Sequence, residues 1–156
     1  MKQFFRYWLP PLAWMGLIFF FSAQPDLPSA PGPWLDTLLK KIGHALGYGI
    51  LAWLYLRLLV ARRLLVARRL LVARRLLVAR RALRGRFRHP AAARAIALCL
   101  TMAYALSDEY HQTFVPGRNG TLWDVGVDGL GALGAMLLAQ RLQRRQTTAR
   151  QETGAQ

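Results

Sequence analysis

The sequence has a single cysteine, so no disulfide can form within the chain. Because Cys99 lies inside an apolar run, it is expected to be a buried, inert thiol. Acidic residues are also scarce: seven Asp and Glu stand against 22 Lys and Arg, for a formal net charge of +15. Such an excess suits nucleic acid, an anionic lipid surface, or a loop obeying the positive-inside bias of membrane proteins. The basic residues carry neither interleaved aromatics nor a recognisable reader fold, which argues against nucleic acid. A His-Glu-x-x-His pattern or comparable ligand spacing is missing as well, so neither a metal nor another cofactor is expected. No clean small-residue cleavage site follows the first apolar stretch, where Ser22-Ala23 leads into Gln24-Pro25, and an uncleaved anchor is expected.

What the chain does have is apolar residues, 54% of the total, gathered into four stretches at about 7–23, 42–60, 91–106 and 122–139. Each is near the lower end of the ~17–25 residues that carry a helix across a hydrocarbon core. Tilt and interfacial residues such as Trp8, Trp34 and Trp123 extend them. The expected fold is therefore an all-α membrane protein, a four-helix transmembrane bundle forming one domain over residues 1–156. With four crossings, both termini share a side with the Arg-rich segment 58–90 and the tail 141–156, while the other side holds only Lys40, Lys41 and Arg118. Charge bias then places the termini in the cytoplasm of a plasma-membrane protein and the two remaining loops outside.

Within the basic segment, Leu-Leu-Val-Ala-Arg-Arg occurs four times in tandem from Leu58 to Arg81. A six-residue step turns a helix by about 240°, so the Arg pairs wind around the whole circumference and leave no single face or coiled-coil seam. Leu, Ala and Arg are strong helix formers, so the second span is expected to continue as a helix into the cytoplasm. The repeat reads as a loop expansion rather than as the seat of function.

Polar residues collect at the expected outer boundary. Lys41-x-x-His44-x-x-x-Tyr48 opens the second span and places its three side chains within about 60° of arc. At the end of the third span, Asp108 and Gln112 share a face with Tyr104, while Glu109 points about 100° away. Adjacent acids beside lipid are costly unless paired, so Asp108 or Glu109 is expected to meet Lys41, His44, Arg118 or another proton donor. Arg118 stands between the turn signals Pro116-Gly117 and Asn119-Gly120, where it either receives a phosphate or carboxylate or closes the loop against Asp124. In the fourth stretch Asp124, Asp128, Gly131 and Ala135 occupy one face, whose small residues admit another helix closely.

These motifs, with Phe20-Phe21-Ser22-x-Gln24-Pro25, Asp108-Glu109-x-x-Gln112, Pro116-Gly117-Arg118 and Asp124-x-x-x-Asp128-x-x-Gly131-x-x-Gly134, resemble the VanZ-like family of small bacterial membrane proteins. The resemblance covers about Trp14 to Ala139, with the Arg repeat as an insertion. It implies a cell-envelope role linked to resistance to the glycopeptide teicoplanin, and brings no settled reaction. Asp128 departs from the family pattern, which usually has Asn there.

Two functions fit the residues. In an enzyme acting on a lipid-linked or cell-wall component, His44 serves as acid or base tuned by Asp108 or Glu109, with Gln112 and Asp124 completing the catalytic set. Lys41, Tyr48 and Arg118 then bind the substrate, and water, Ser107 or Tyr48 supplies the nucleophile. In a non-catalytic protein the same residues bind a lipid-linked precursor or the glycopeptide, or act on a partner enzyme. The lipid bilayer is a partner in both.

Overall fold

The computed structural model describes residues 2–25, 31–72, 90–118 and 120–153, all of it helix and connecting turn. Five helices follow one another: α1 (Lys2–Tyr7), α2 (Leu9–Ser22), α3 (Pro33–Val72), α4 (Pro90–Gln112) and α5 (Leu122–Thr153). Three are long and apolar enough to cross a membrane, within Pro33–Arg62, Ala91–Gln112 and Leu122–Gln146.

The first expected span differs from the other three. It is divided at Trp8, and its apolar part, α2, has only 14 residues. Pro10 and Pro11 explain the division, since neither has the N–H that would bond back to Arg6 and Tyr7; the helical pattern resumes where Leu12 N–H donates to the Trp8 carbonyl at 3.3 Å. α2 lies against α3 and α4.

The second helix begins nine residues before the expected position 42. Gly32 takes a left-handed turn (φ 93°), and Pro33 starts the helix where its missing N–H costs nothing. Asp36 then pairs with Lys40 one turn on, at 2.7 Å. At the far end α3 runs to Val72, so the first two copies of the repeat are helical in backbone; the later part of the expected helix lies outside the described residues.

α3, α4 and α5 form the core, with α3 and α5 in the most extensive contact. Ala52 and Leu56 of α3 meet Ala93 and Ala97 of α4 and Ala132 and Met136 of α5. Closest approach occurs at Gly131: a Cβ there would overlap the Ala45 carbonyl of α3, and one on Gly49 would come within 3.1 Å of the Gly131 oxygen. The small-residue face expected from Asp124 to Ala135 is therefore the α3 contact, and at position 131 no side chain larger than glycine's fits. Large apolar residues point outward instead, Leu130 at 70% exposure and Trp123 at 73%, in keeping with a helix apolar enough to cross a membrane.

Cys99 is exposed, contrary to expectation. The buried stripe of α4 runs through Ala93, Ala97, Thr101 and Ala105 at four-residue intervals. A residue two positions after Ala97 is about 200° around the helix and faces away from the core.

Candidate functional site

Alternating helix directions bring the end of α2, the first third of α3, the end of α4 and the start of α5 to the same end of the bundle. The expected site residues meet there, in two groups separated by the face of α4 from which each projects.

Asp108 is the centre of the first group. Its side chain is 2% exposed, and Oδ2 accepts three hydrogen bonds, from Ser22 Oγ at 2.7 Å, Tyr48 Oη at 2.9 Å and Gln112 Nε2 at 3.1 Å. Gln112 Nε2 also reaches Ser22 Oγ at 3.4 Å. Three helices converge on one oxygen, so the proton donor that meets Asp108 is a pair of hydroxyls and an amide rather than Lys41, His44 or Arg118. Tyr104, on the same face of α4 one turn earlier, donates to the Met15 carbonyl of α2 at 2.6 Å. Asp108 Oδ1 is buried without a hydrogen-bond partner.

Glu109 projects toward α5 and builds the second group. Its Oε2 accepts the Thr121 backbone N–H at 2.9 Å, while Oε1 is buried and unpartnered. Thr121 caps α5: its hydroxyl accepts the Asp124 N–H at 3.2 Å and donates to Asp124 Oδ2 at 2.8 Å. The other Asp124 oxygen receives Lys41 Nζ at 2.7 Å. One turn deeper, His44 Nδ1 lies 3.2 Å from Oδ1 of Asp128, a residue with no exposed surface. Lys41, His44 and Tyr48 thus use their common face for three different acids on two helices, Asp124, Asp128 and Asp108.

Arg118 is presented by tight turns. Backbone bonds Thr113 to Tyr110, Phe114 to His111, Val115 to Gln112 and Arg118 to Val115 fold the chain back, and Gly117 takes a left-handed conformation (φ 78°). The guanidinium donates to the Ser22 carbonyl at 3.0 Å and forms no ion pair with Asp124, whose cation is Lys41. Of the two roles expected for Arg118, closing the loop on Asp124 is therefore not the one adopted. His111 stacks on Phe19 with ring centroids 4.3 Å apart.

Between α2 and α3 is a cavity of about 320 Å³. Trp14, Leu17, Ile18 and Phe21 form its apolar wall, and Ser22, Lys40, His44, Tyr48 and Arg118 also line it. Trp14 is fixed in this wall by donating Nε1 to the Gly47 carbonyl at 2.9 Å. A separate constellation could hold a metal ion: one donor atom each from His44, Glu109 and Asp128 lies within 4.8 Å of the others.

The structure thus brings together all eight expected site residues, and adds two that sequence reasoning did not place in the site. Ser22 sits in the quoted end of the first span, but its target is 86 positions away. Thr121 had a visible signal, a Thr-x-x-Asp pattern before an apolar run, which marks a helix start.

A family model described as VanZ/LLP1 matches residues 7–143. No curated protein matches the chain, and no solved structure does.

Proposed function

The chain belongs to the VanZ/LLP1 family, and from that premise we propose that it is a four-pass protein of the bacterial plasma membrane whose polar site faces outward and takes an anionic lipid-linked or cell-wall component, contributing to teicoplanin resistance. α2 is apolar but covers only about 21 Å at 1.5 Å per residue, so a fourth crossing there would be completed by the interfacial residues of α1 that precede it. The scarcity of Lys and Arg beside the polar end supports its outward orientation and puts both termini in the cytoplasm.

The cavity between α2 and α3 carries the reading. Its wall of Trp14, Leu17, Ile18 and Phe21 suits an apolar chain, and Arg118, which also lines it, suits a phosphate or carboxylate. His44 and Tyr48 line the same space, so an imidazole is available to move a proton on the bound molecule. Lys41 and Asp124, already paired to each other at 2.7 Å, hold α3 against α5 beside it. Asp108, Gln112 and Ser22 position Tyr48, and Glu109 fixes the loop through Thr121.

Resistance measured in cells making Arg118→Ala, Phe21→Ala or His44→Gln, each checked for membrane insertion, tests this. All three are expected to lose resistance. If His44→Gln loses it while retaining a lipid-linked precursor in binding assays, the site is catalytic; if binding falls with resistance, it is a recognition site. Unchanged resistance in all three would refute the proposal.

A further inference from the structure

We propose that His44, Glu109 and Asp128 bind one divalent transition-metal ion of the zinc class. Glu109 is 5% exposed and Asp128 has no exposed surface. Each carboxylate has one oxygen engaged and the other buried without a hydrogen-bond partner: Glu109 Oε1 and Asp128 Oδ2. A buried carboxylate oxygen with nothing to accept is costly, and here two of them accompany an imidazole. One donor atom from each residue lies within 4.8 Å of the other two.

Protein cations do not answer these two acids. Among the described residues no Lys or Arg forms an ion pair with Glu109 or Asp128: Lys41 is held by Asp124 and Arg118 by the Ser22 carbonyl. A protonated His44 would supply one positive charge for two carboxylates. A divalent ion supplies two and leaves the imidazole neutral, the form in which it ligates.

Distances favour shared coordination. His44 Nδ1 and Asp128 Oδ1 form a hydrogen-bonded pair 3.2 Å apart, close to the edge of about 3.3 Å expected between ligands of a tetrahedral ion with bonds near 2.0 Å, so an ion would take the place of the shared proton beside the free Oδ2. The three donor atoms lie within 4.8 Å of one another, so an ion has to draw them closer, and Glu109 has its Oε1 free of any hydrogen bond while Oε2 holds the Thr121 N–H. A mixed nitrogen and oxygen donor set suits Zn²⁺ or Mn²⁺ better than Mg²⁺ or Ca²⁺, which prefer oxygen alone. Three protein ligands leave a position for water or another molecule, and His44 also lines the α2–α3 cavity. Linear spacing conceals this set because positions 44, 109 and 128 come from three different helices. The proposal rests on this geometry and stands apart from the lipid reading.

The full chain, purified in detergent without a histidine tag and stripped with a chelator, is exchanged against Zn²⁺, desalted and analysed for metal. About one zinc per chain is expected, with no retention of Mg²⁺ at the same concentration. Glu109→Gln and Asp128→Asn keep the side-chain shape and are expected to weaken zinc binding at least about tenfold, while His111→Gln leaves it unchanged. Zinc is also expected to raise the thermal unfolding midpoint of the unaltered protein and not of Asp128→Asn. Less than a tenth of an ion per unaltered chain would overturn the proposal whatever the variants do. Retention unaffected by Glu109→Gln and Asp128→Asn would overturn it too, because the ion would then sit elsewhere.

Discussion

At one end of the bundle Ala52 and Leu56 meet Ala93, Ala97, Ala132 and Met136 in an apolar cluster. At the other, Ser22, Tyr48 and Gln112 converge on Asp108, Lys41 reaches Asp124, and His44 faces Asp128. The apolar end depends on fit: in lipid, helices gain little by hiding apolar surface from one another, so close packing of small residues must supply the attraction. The polar end depends on identity, since its donors and acceptors are matched side chain to side chain and a different residue leaves a buried group unpaired. That end also keeps what a minimal scaffold would not, four buried side-chain atoms without partners, on Asp108, Glu109, His111 and Asp128. Three of them belong to the acids of the site, which is where a structure optimised only for stability would have used apolar residues.

Substitutions at the two ends should therefore fail in different ways. The largest effect is expected from Gly131→Leu at the α3–α5 crossing, where even a Cβ overlaps the Ala45 carbonyl. Overpacking against backbone should cost about 3 kcal/mol, read as unfolding in mixed micelles. Next comes Asp108→Ala, which removes the acceptor of three hydrogen bonds. At about 0.6 kcal/mol for each bond in a membrane protein the loss is about 2 kcal/mol, and Asp108→Asn should recover part of it. A loss in Asp108→Ala no greater than in a lipid-facing substitution would erase the contrast between the ends. Thr121→Ala removes the cap of α5 and should cost about 1 kcal/mol while shifting hydrogen exchange at its first turn. Cys99→Ala, on the exposed face of α4, should stay within about 0.5 kcal/mol of the unaltered protein and leave resistance unchanged.

Much of this was legible in the sequence, and the division between what was and was not follows from range. Periodicities within one helix were readable: the shared face of Lys41, His44 and Tyr48, the pairing of Asp108 with Gln112 four residues on, and the small-residue face around Gly131. Helix limits were less so, because Gly32-Pro33 starts α3 well before its apolar run and Pro10-Pro11 divides the first apolar stretch. The exposure of Cys99 was available from the Ala93, Ala97, Thr101 stripe, which an estimate from cysteine's usual burial overlooks. Partner choice between helices was not available at all. That Lys41 takes Asp124, leaving Arg118 to a backbone carbonyl, depends on how α3, α5 and the loop 113–121 are set against one another.

The meeting of α3 and α5 at the polar end can be tested directly by bridging two introduced thiols in native membranes. In a Cys99→Ala background, Lys41→Cys combined with Asp124→Cys should be joined within one chain by a short bifunctional thiol-alkylating reagent, because these side chains face each other. Leu39→Cys with Asp124→Cys should not, since position 39 is exposed about 200° around the helix from position 41. Equal bridging of both pairs, or bridging of neither in correctly inserted protein, would contradict the convergence on which the site depends.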